Sequence, residues 1–198
     1  MNEHNTCSGC MADGLVNEDR RKMFRLAAGG LAGLAMAGRA AAHAEKARVL
    51  PGDLLVEEDA EGELTPLKLS DLKPGKPMMA FPYDPAKKVA RTETRMNKVV
   101  LLRLAESDLD PAMKAVSAGG VVAFSGVCTH HGCDVKTWMA KDKVLACFCH
   151  GSKFTPFKAG AVTDGPAPRP LPLLPIALKG DTLVVTAPFT APPGAMLG

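Results

Sequence analysis

Apolar residues recur along most of this chain in short runs, some alternating with polar residues, and each run ends in glycine, proline or a polar cluster. Runs at Asp53 to Val56, Pro66 to Leu69, Met78 to Phe81, Val99 to Leu104, Val121 to Phe124, Lys143 to Cys147, Leu171 to Leu178 and Thr182 to Thr186 predict strands. Helical spacing stands out only at Asp108 to Ala118, with Ser107 or Asp108 as N-cap and Gly119-Gly120 as the stop. The 16 prolines and 19 glycines are spread along the chain, as many turns require. The expected fold class is mostly β and antiparallel, with one short helix.

One segment breaks the pattern. Leu26 to Gly38 is apolar and glycine-rich, follows Asp19-Arg20-Arg21-Lys22-Met23-Phe24-Arg25 and precedes Ala42-His43-Ala44. A basic pair, an apolar stretch and a small-x-small site are the three parts of an export signal, and the paired arginines point to the twin-arginine route. Asp19 and Met23-Phe24 depart slightly from the usual Ser-Arg-Arg-x-Phe-Leu-Lys form. Only 13 uncharged residues, four of them glycines, separate Arg25 from Arg39. A bilayer span needs about 20. The expectation is cleavage after Ala44 rather than retention as an anchor, with delivery to the periplasm; a start at Met1 in the membrane fraction would defeat it. The chain then reads as a signal peptide over residues 1–44 and one domain over residues 45–198, too short for two large domains. His4, Cys7 and Cys10 precede the arginines in a polar leader and are read as incidental. The net charge of +3 comes partly from the leader, and without a basic tract nucleic acid is not an expected partner.

Chemistry concentrates in Cys128-Thr129-His130-His131-Gly132-Cys133 and Cys147-Phe148-Cys149-His150-Gly151-Ser152. Each peptide offers a Cys and a His to one metal centre, Cys128 with His130 and Cys147 with His150. Two thiolates and two imidazoles suit a tetrahedral zinc. They also suit an iron-sulfur cluster, where exchanging two thiolates for neutral imidazoles removes negative charge and eases reduction. Zinc fingers pair Cys with Cys and His with His, whereas here each pair is mixed and carries a spare cysteine and a glycine. Cys133 and Cys149 sit just beyond the candidate ligands, where a disulfide could join the loops.

On these residues the chain resembles the Rieske iron-sulfur proteins, whose loops have the form Cys-Thr-His-x-Gly-Cys and Cys-x-Cys-His-Gly-Ser. The resemblance runs from Val121 to Leu174. It implies a β-sandwich with a small cluster-binding subdomain at about residues 121–170, and a 2Fe-2S cluster held by Cys128 and Cys147 on one iron and by His130 and His150 on the other. It further implies a Cys133–Cys149 disulfide, a proline loop at Gly165-Pro166-Ala167-Pro168 over the cluster, and a Ser152 hydroxyl donating to a bridging sulfide. Gly132 and Gly151 would let backbone approach the sulfides. Phe154 stands where high-potential members often carry a tyrosine that donates to a cysteine ligand, which predicts a lower potential than in the quinol-oxidising members. His131 replaces the usual leucine and is read as an exposed tip residue; Phe148 replaces the usual proline. Surface exposure of His130 and His150 would couple potential to pH.

Met78 to Pro85 followed by Lys98 to Leu104 reads as a hairpin, a pattern similar to the small Rieske subunit of arsenite oxidase, which is also exported by a twin-arginine signal. Trp138 and Met139 are read as packing residues. The resemblance implies a periplasmic electron-transfer subunit of a respiratory oxidoreductase, passing single electrons between a quinol or a molybdenum-enzyme large subunit and a c-type cytochrome or similar acceptor. The alternative is the Rieske subunit of a ubiquinol-cytochrome c reductase with an uncleaved anchor. In the first case membrane contact comes only through a partner. No catalytic site accompanies the cluster motifs, and an oxygenase would need a further mononuclear iron domain.

Overall fold

The computed structural model describes residues 48–60 and 62–196; the candidate export segment, with His4, Cys7 and Cys10, lies outside them. Eleven strands follow in chain order: β1 (Leu54–Glu57), β2 (Met78–Asp84), β3 (Val89–Ala90), β4 (Val99–Arg103), β5 (Val121–Ser125), β6 (Thr137–Met139), β7 (Val144–Cys147), β8 (Ser152–Thr155), β9 (Ala161–Asp164), β10 (Ile176–Lys179) and β11 (Thr182–Val185). A seven-stranded sheet has the order β10-β11-β1-β2-β4-β5 with β3 paired to β2, and a four-stranded sheet has the order β6-β7-β8-β9. The strand pairings are antiparallel.

The continuous apolar runs of β4 and β5 have a direct cause. Side chains alternate between the faces of a strand, so a strand buried on both faces needs apolar residues at every position. Val99, Leu101, Val121 and Ala123 enter one core with Leu55, Leu174 and Leu183. Val100, Leu102, Val122 and Phe124 enter a second core with Leu145, Cys147 and Phe154 of the small sheet. The small sheet is thus fastened to the large one through β4 and β5.

The expected hairpin forms, with Met78 opposite Leu101 and Ala80 opposite Val99. The chain between β2 and β4 adds β3, pairing Tyr83 with Ala90. Other elements differ from expectation. The helix spans only Pro111–Lys114 (α1), capped by Asp110, whose side chain accepts from the Met113 amide at 2.7 Å. Pro111 sets the first helical position and cannot donate, so the helix starts there rather than at Asp108; residues 106–108 form a separate 3-10 turn. Pro66 to Leu69 contributes one bridge, Lys68 to Thr182, before a 3-10 turn. Within Leu171 to Leu178 the ladder starts only at Ile176, because Pro172 and Pro175 have no N–H to give it. Strands β3, β6, β8 and β9 were not expected; they are too short, or too polar, to show an alternating pattern.

A buried ion pair ties the start of β1 to the end of β2 and the chain just after β3. Arg91 donates through Nε to Asp53 Oδ2 at 2.7 Å and through Nη2 to Asp53 Oδ1 at 2.9 Å, with Asp84 Oδ2 at 3.4 Å. Asp53 also accepts from the Leu50 amide at 2.8 Å. The hydrogen bonds to Asp53 hold the Arg91 guanidinium above its ordinary pKa.

Candidate metal centre

Both cysteine-histidine peptides fold into the same kind of turn. In the loop after β5, the Gly132 amide donates to the Cys128 carbonyl at 3.0 Å; in the loop between β7 and β8, the Gly151 amide donates to the Cys147 carbonyl at 3.0 Å. Each turn closes on a glycine in the left-handed region, Gly132 at φ 74° and Gly151 at φ 80°, where a side chain would be strained. The two turns set Cys128 and Cys147 inward as free thiols, 1% and 2% exposed. The rings of His130 and His150 face each other edge-on at 4.8 Å between centroids, His130 half-buried and His150 exposed. Cys133 and Cys149 form a disulfide across the two loops. The sulfurs of Cys133, Cys147 and Cys149 lie within 4.8 Å of one another, but only Cys147 of these is a free thiol.

Two buried polar atoms beside the turns call for a further group. Ser152 is 1% exposed, and its hydroxyl has no partner among the described residues; the same holds for His130 Nδ1. Burial pushes the Cys147 thiol up in pKa and the adjacent Cys128 adds to this, while amides of Cys149 and His150 donate toward the sulfur. Burial also lowers the His130 pKa, with His131 and His150 beside it adding to the effect. Buried orphan donors and acceptors are rare without a bound partner. Two soft sulfurs, a neutral imidazole and an unpaired hydroxyl converging from two stapled turns fit a cluster of iron and sulfide.

The residues around the turns sit as follows. Gly165 lies against the second turn, where an added Cβ would stand 2.6 Å from Ser152 Cα and 2.7 Å from Gly151 O, so the proline loop packs directly on that backbone. Gly165, Pro166 and Pro168 are exposed and Ala167 is buried. Phe154 is fully buried in the second core with Cys128 and Cys147. His131 is exposed, its ring 3.9 Å from that of His130. Trp138 packs on the second core and near Phe157, a packing role as expected.

Two long-range restraints on the first turn carry no sequence signal. Thr129 Oγ1 donates to the Arg169 carbonyl at 2.8 Å, and Arg169 Nη2 donates to the carbonyls of Pro192 and Gly194. Asp134, one residue past the disulfide, accepts from Lys98 at 3.0 Å and Arg95 at 2.7 Å, and Lys98 also pairs with Glu58. Burial pulls the Asp134 carboxyl up, but Lys98 and Arg95 outweigh it and hold its pKa below the usual carboxylate range. A carboxylate with a depressed folded pKa stabilises the fold above its unfolded value, about 3.9, and that contribution disappears as pH falls through the folded value. Acid loosening of the first loop is therefore expected below about pH 4. Asp134→Asn should blunt this in a tryptophan-fluorescence acid titration; a titration matching wild type would show that the contact is inert.

A family model described as the Rieske [2Fe-2S] domain matches residues 70–175. The chain is similar to the putative respiratory nitrate reductase subunit Rieske of Haloferax mediterranei, 35% identical over 136 residues, which make up 68% of this chain and 58% of that protein. It is also similar to the cytochrome bc1 complex Rieske iron-sulfur subunit of Corynebacterium glutamicum, 32% identical over 115 residues, 53% of this chain and 28% of that one. It thus spans little more than half, or less, of the length of these relatives. Among solved structures it is similar to the plasma membrane Rieske protein PetC3 of Synechocystis PCC 6803, at 26% identity and a TM-score of 0.42, covering 61% of this chain and 95% of that one. With the family model matching more than half of its residues, this chain belongs to the Rieske [2Fe-2S] domain family, and a 2Fe-2S cluster is its cofactor.

Proposed function

We propose that this protein is the electron-carrying subunit of a respiratory oxidoreductase, with Cys128, Cys147, His130 and His150 as the cluster ligands. The observation that carries this reading is the asymmetry of the ligand set. Both thiols are buried, while the His150 ring reaches solvent. The cluster supplies one-electron chemistry at a potential raised by imidazole ligation. The protein's own residues do the rest: the glycine-closed turns aim the four side chains, the disulfide holds the two turns together, and Gly165 to Pro168 cover the second turn from one side.

Similarity to subunits named for a nitrate reductase and a cytochrome bc1 complex supports a place in such an assembly. The donor would be a quinol or the large subunit of a molybdenum enzyme, and the acceptor a c-type cytochrome or similar protein. We place the protein in the periplasm, as a domain over residues 45–198 released from a twin-arginine signal over residues 1–44; the paired Arg20-Arg21 and the disulfide support this. Among the described residues no helix is long and apolar enough to cross a membrane. The bc1-type relative favours a second reading, the Rieske subunit of a quinol-oxidising complex that keeps its N-terminal anchor.

The decisive experiment is EPR of the purified protein after dithionite and after ascorbate. A rhombic signal already present with ascorbate is the expected result, and stoichiometric zinc without a signal would overturn the reading. Phe154 sets the expected potential. Its ring lies in the core that holds both free thiols and offers no hydroxyl to either sulfur. A hydrogen bond stronger in the reduced state by about 1 kcal/mol is worth about 40 mV for one electron, at 59 mV per tenfold change. Phe154→Tyr is accordingly expected to raise the midpoint by tens of millivolts, read by redox titration; an unchanged or lower value would count against a hydrogen bond to sulfur.

A further inference from the structure

Phe148 is 72% exposed and belongs to neither core. Single exposed apolar residues are ordinary on a protein surface, so its setting decides the matter. The loop that carries it is rigid: Cys147 ends β7 in the second core, Cys149 is in the disulfide, and the Gly151 amide closes the turn. An aromatic ring held out by an ordered loop loses little freedom when it is buried by a partner. Phe148 lines a cleft with Cys149, Arg95, Asp134 and Lys136. His131 and His150 are exposed, 5.4 Å apart between ring centroids, on the two turns joined by the Cys133–Cys149 disulfide.

The charge around this cleft is one-sided. Its carboxylate, Asp134, is already held by Arg95 and Lys98, whereas Lys136 is exposed and makes no ion pair among the described residues. Between Val127 and Pro170 the chain has six lysines and arginines against three aspartates, while the rest of residues 45–198 has thirteen against fourteen acidic residues. The excess positive charge therefore sits on the part of the chain that carries the cluster. Much of it is on Lys141, Lys143 and Lys158, in the turns at the other end of the small sheet, from where it adds to the long-range field.

Resting on the electron-transfer reading above, we infer that Phe148, with Lys136 at its edge, is the docking anchor for a redox partner protein whose contact surface is an apolar pocket ringed by carboxylates. The ring supplies the desolvated contact and the lysines supply steering.

The test uses the holoprotein, reduced with ascorbate and mixed in a stopped-flow instrument with an acidic c-type cytochrome, with a basic one, and with ferricyanide. The acidic cytochrome should oxidise the wild type faster than the basic one, with a rate that falls as salt rises. Phe148→Ala should slow the acidic cytochrome by about tenfold or more, and Phe148→Trp should not. Lys136→Glu should slow it and flatten the salt dependence. The EPR signal, the midpoint potential and the ferricyanide rate of Phe148→Ala should match wild type. A Phe148→Ala protein that reduces the acidic cytochrome at the wild-type rate, or a wild type that prefers the basic one, overturns this inference and leaves the electron-transfer reading intact. A wild type with no EPR signal and no oxidation by ferricyanide overturns both.

Discussion

Cys147→Ser is expected to yield a folded protein that has lost its bound iron and its rhombic EPR signal. Cys147 ends β7 and is 2% exposed, so a near-isosteric hydroxyl leaves the strand and the second core in place. A serine hydroxyl is a hard donor that does not ionise in this range, and it cannot replace a soft thiolate on iron. His131→Ala is the matched control. His131 is as close to the site as a ligand, its ring 3.9 Å from that of His130, yet it is exposed and should be dispensable for binding. Iron analysis with EPR reads both variants. Wild-type iron content and spectrum in Cys147→Ser, or loss of iron in His131→Ala, would mean the ligand set is wrong.

The largest loss of stability is expected from Asp53→Ala. Asp53 and Arg91 side chains are 4% and 6% exposed, and the pair is bidentate. Removing the carboxylate takes two short hydrogen bonds from a buried guanidinium, and the Asp84 carboxylate stands farther off at 3.4 Å. Breaking a buried pair on one side costs about 3–5 kcal/mol. For a domain of this size that is a fall in Tm of roughly 10 °C. Asp53→Leu combined with Arg91→Met should recover much of the loss, because the apolar pair has no charge left to solvate. Thermal unfolding by circular dichroism decides between the cases, and a fall of less than about 2 °C in the single variant would show the pair to be energetically idle.

The two effects draw on different kinds of information. The two turns were legible because each is local: a cysteine, a histidine and a closing glycine within five residues define both the candidate donor types and the backbone that aims them. The position of Ser152 and Phe154 beside the second turn was legible for the same reason, as they follow it directly. The Asp53–Arg91 pair was not, since nothing in an isolated aspartate and an arginine 38 residues away marks them as partners. Asp134 is similar. It reads as an ordinary charged loop residue until folding brings Lys98 and Arg95 against it.

The secondary structure divides along the same line. Val99 to Leu104 and Val121 to Phe124 were recognisable because strands buried on both faces must be apolar throughout, whatever packs on them. The helix from Asp108 was overestimated because periodicity continues past the point where Pro111 and the Ala118 to Val121 bridge impose a different backbone. Strands β6, β8 and β9 owe their existence to pairing with β7 and with one another, not to their own composition.

By itself, then, the sequence determined the local frame of the site: which donor types stand in each turn, how each turn closes and which strands form the core between the sheets. These are properties of residues near one another along the chain, where spacing alone sets geometry. The tertiary structure decided which charges pair, that Gly165 packs on the second turn, and that Phe148 stands out from a rigid loop beside Lys136, which makes no ion pair among the described residues. Those outcomes depend on contacts between distant segments, and the free energy of such contacts is settled only when the sheets have packed.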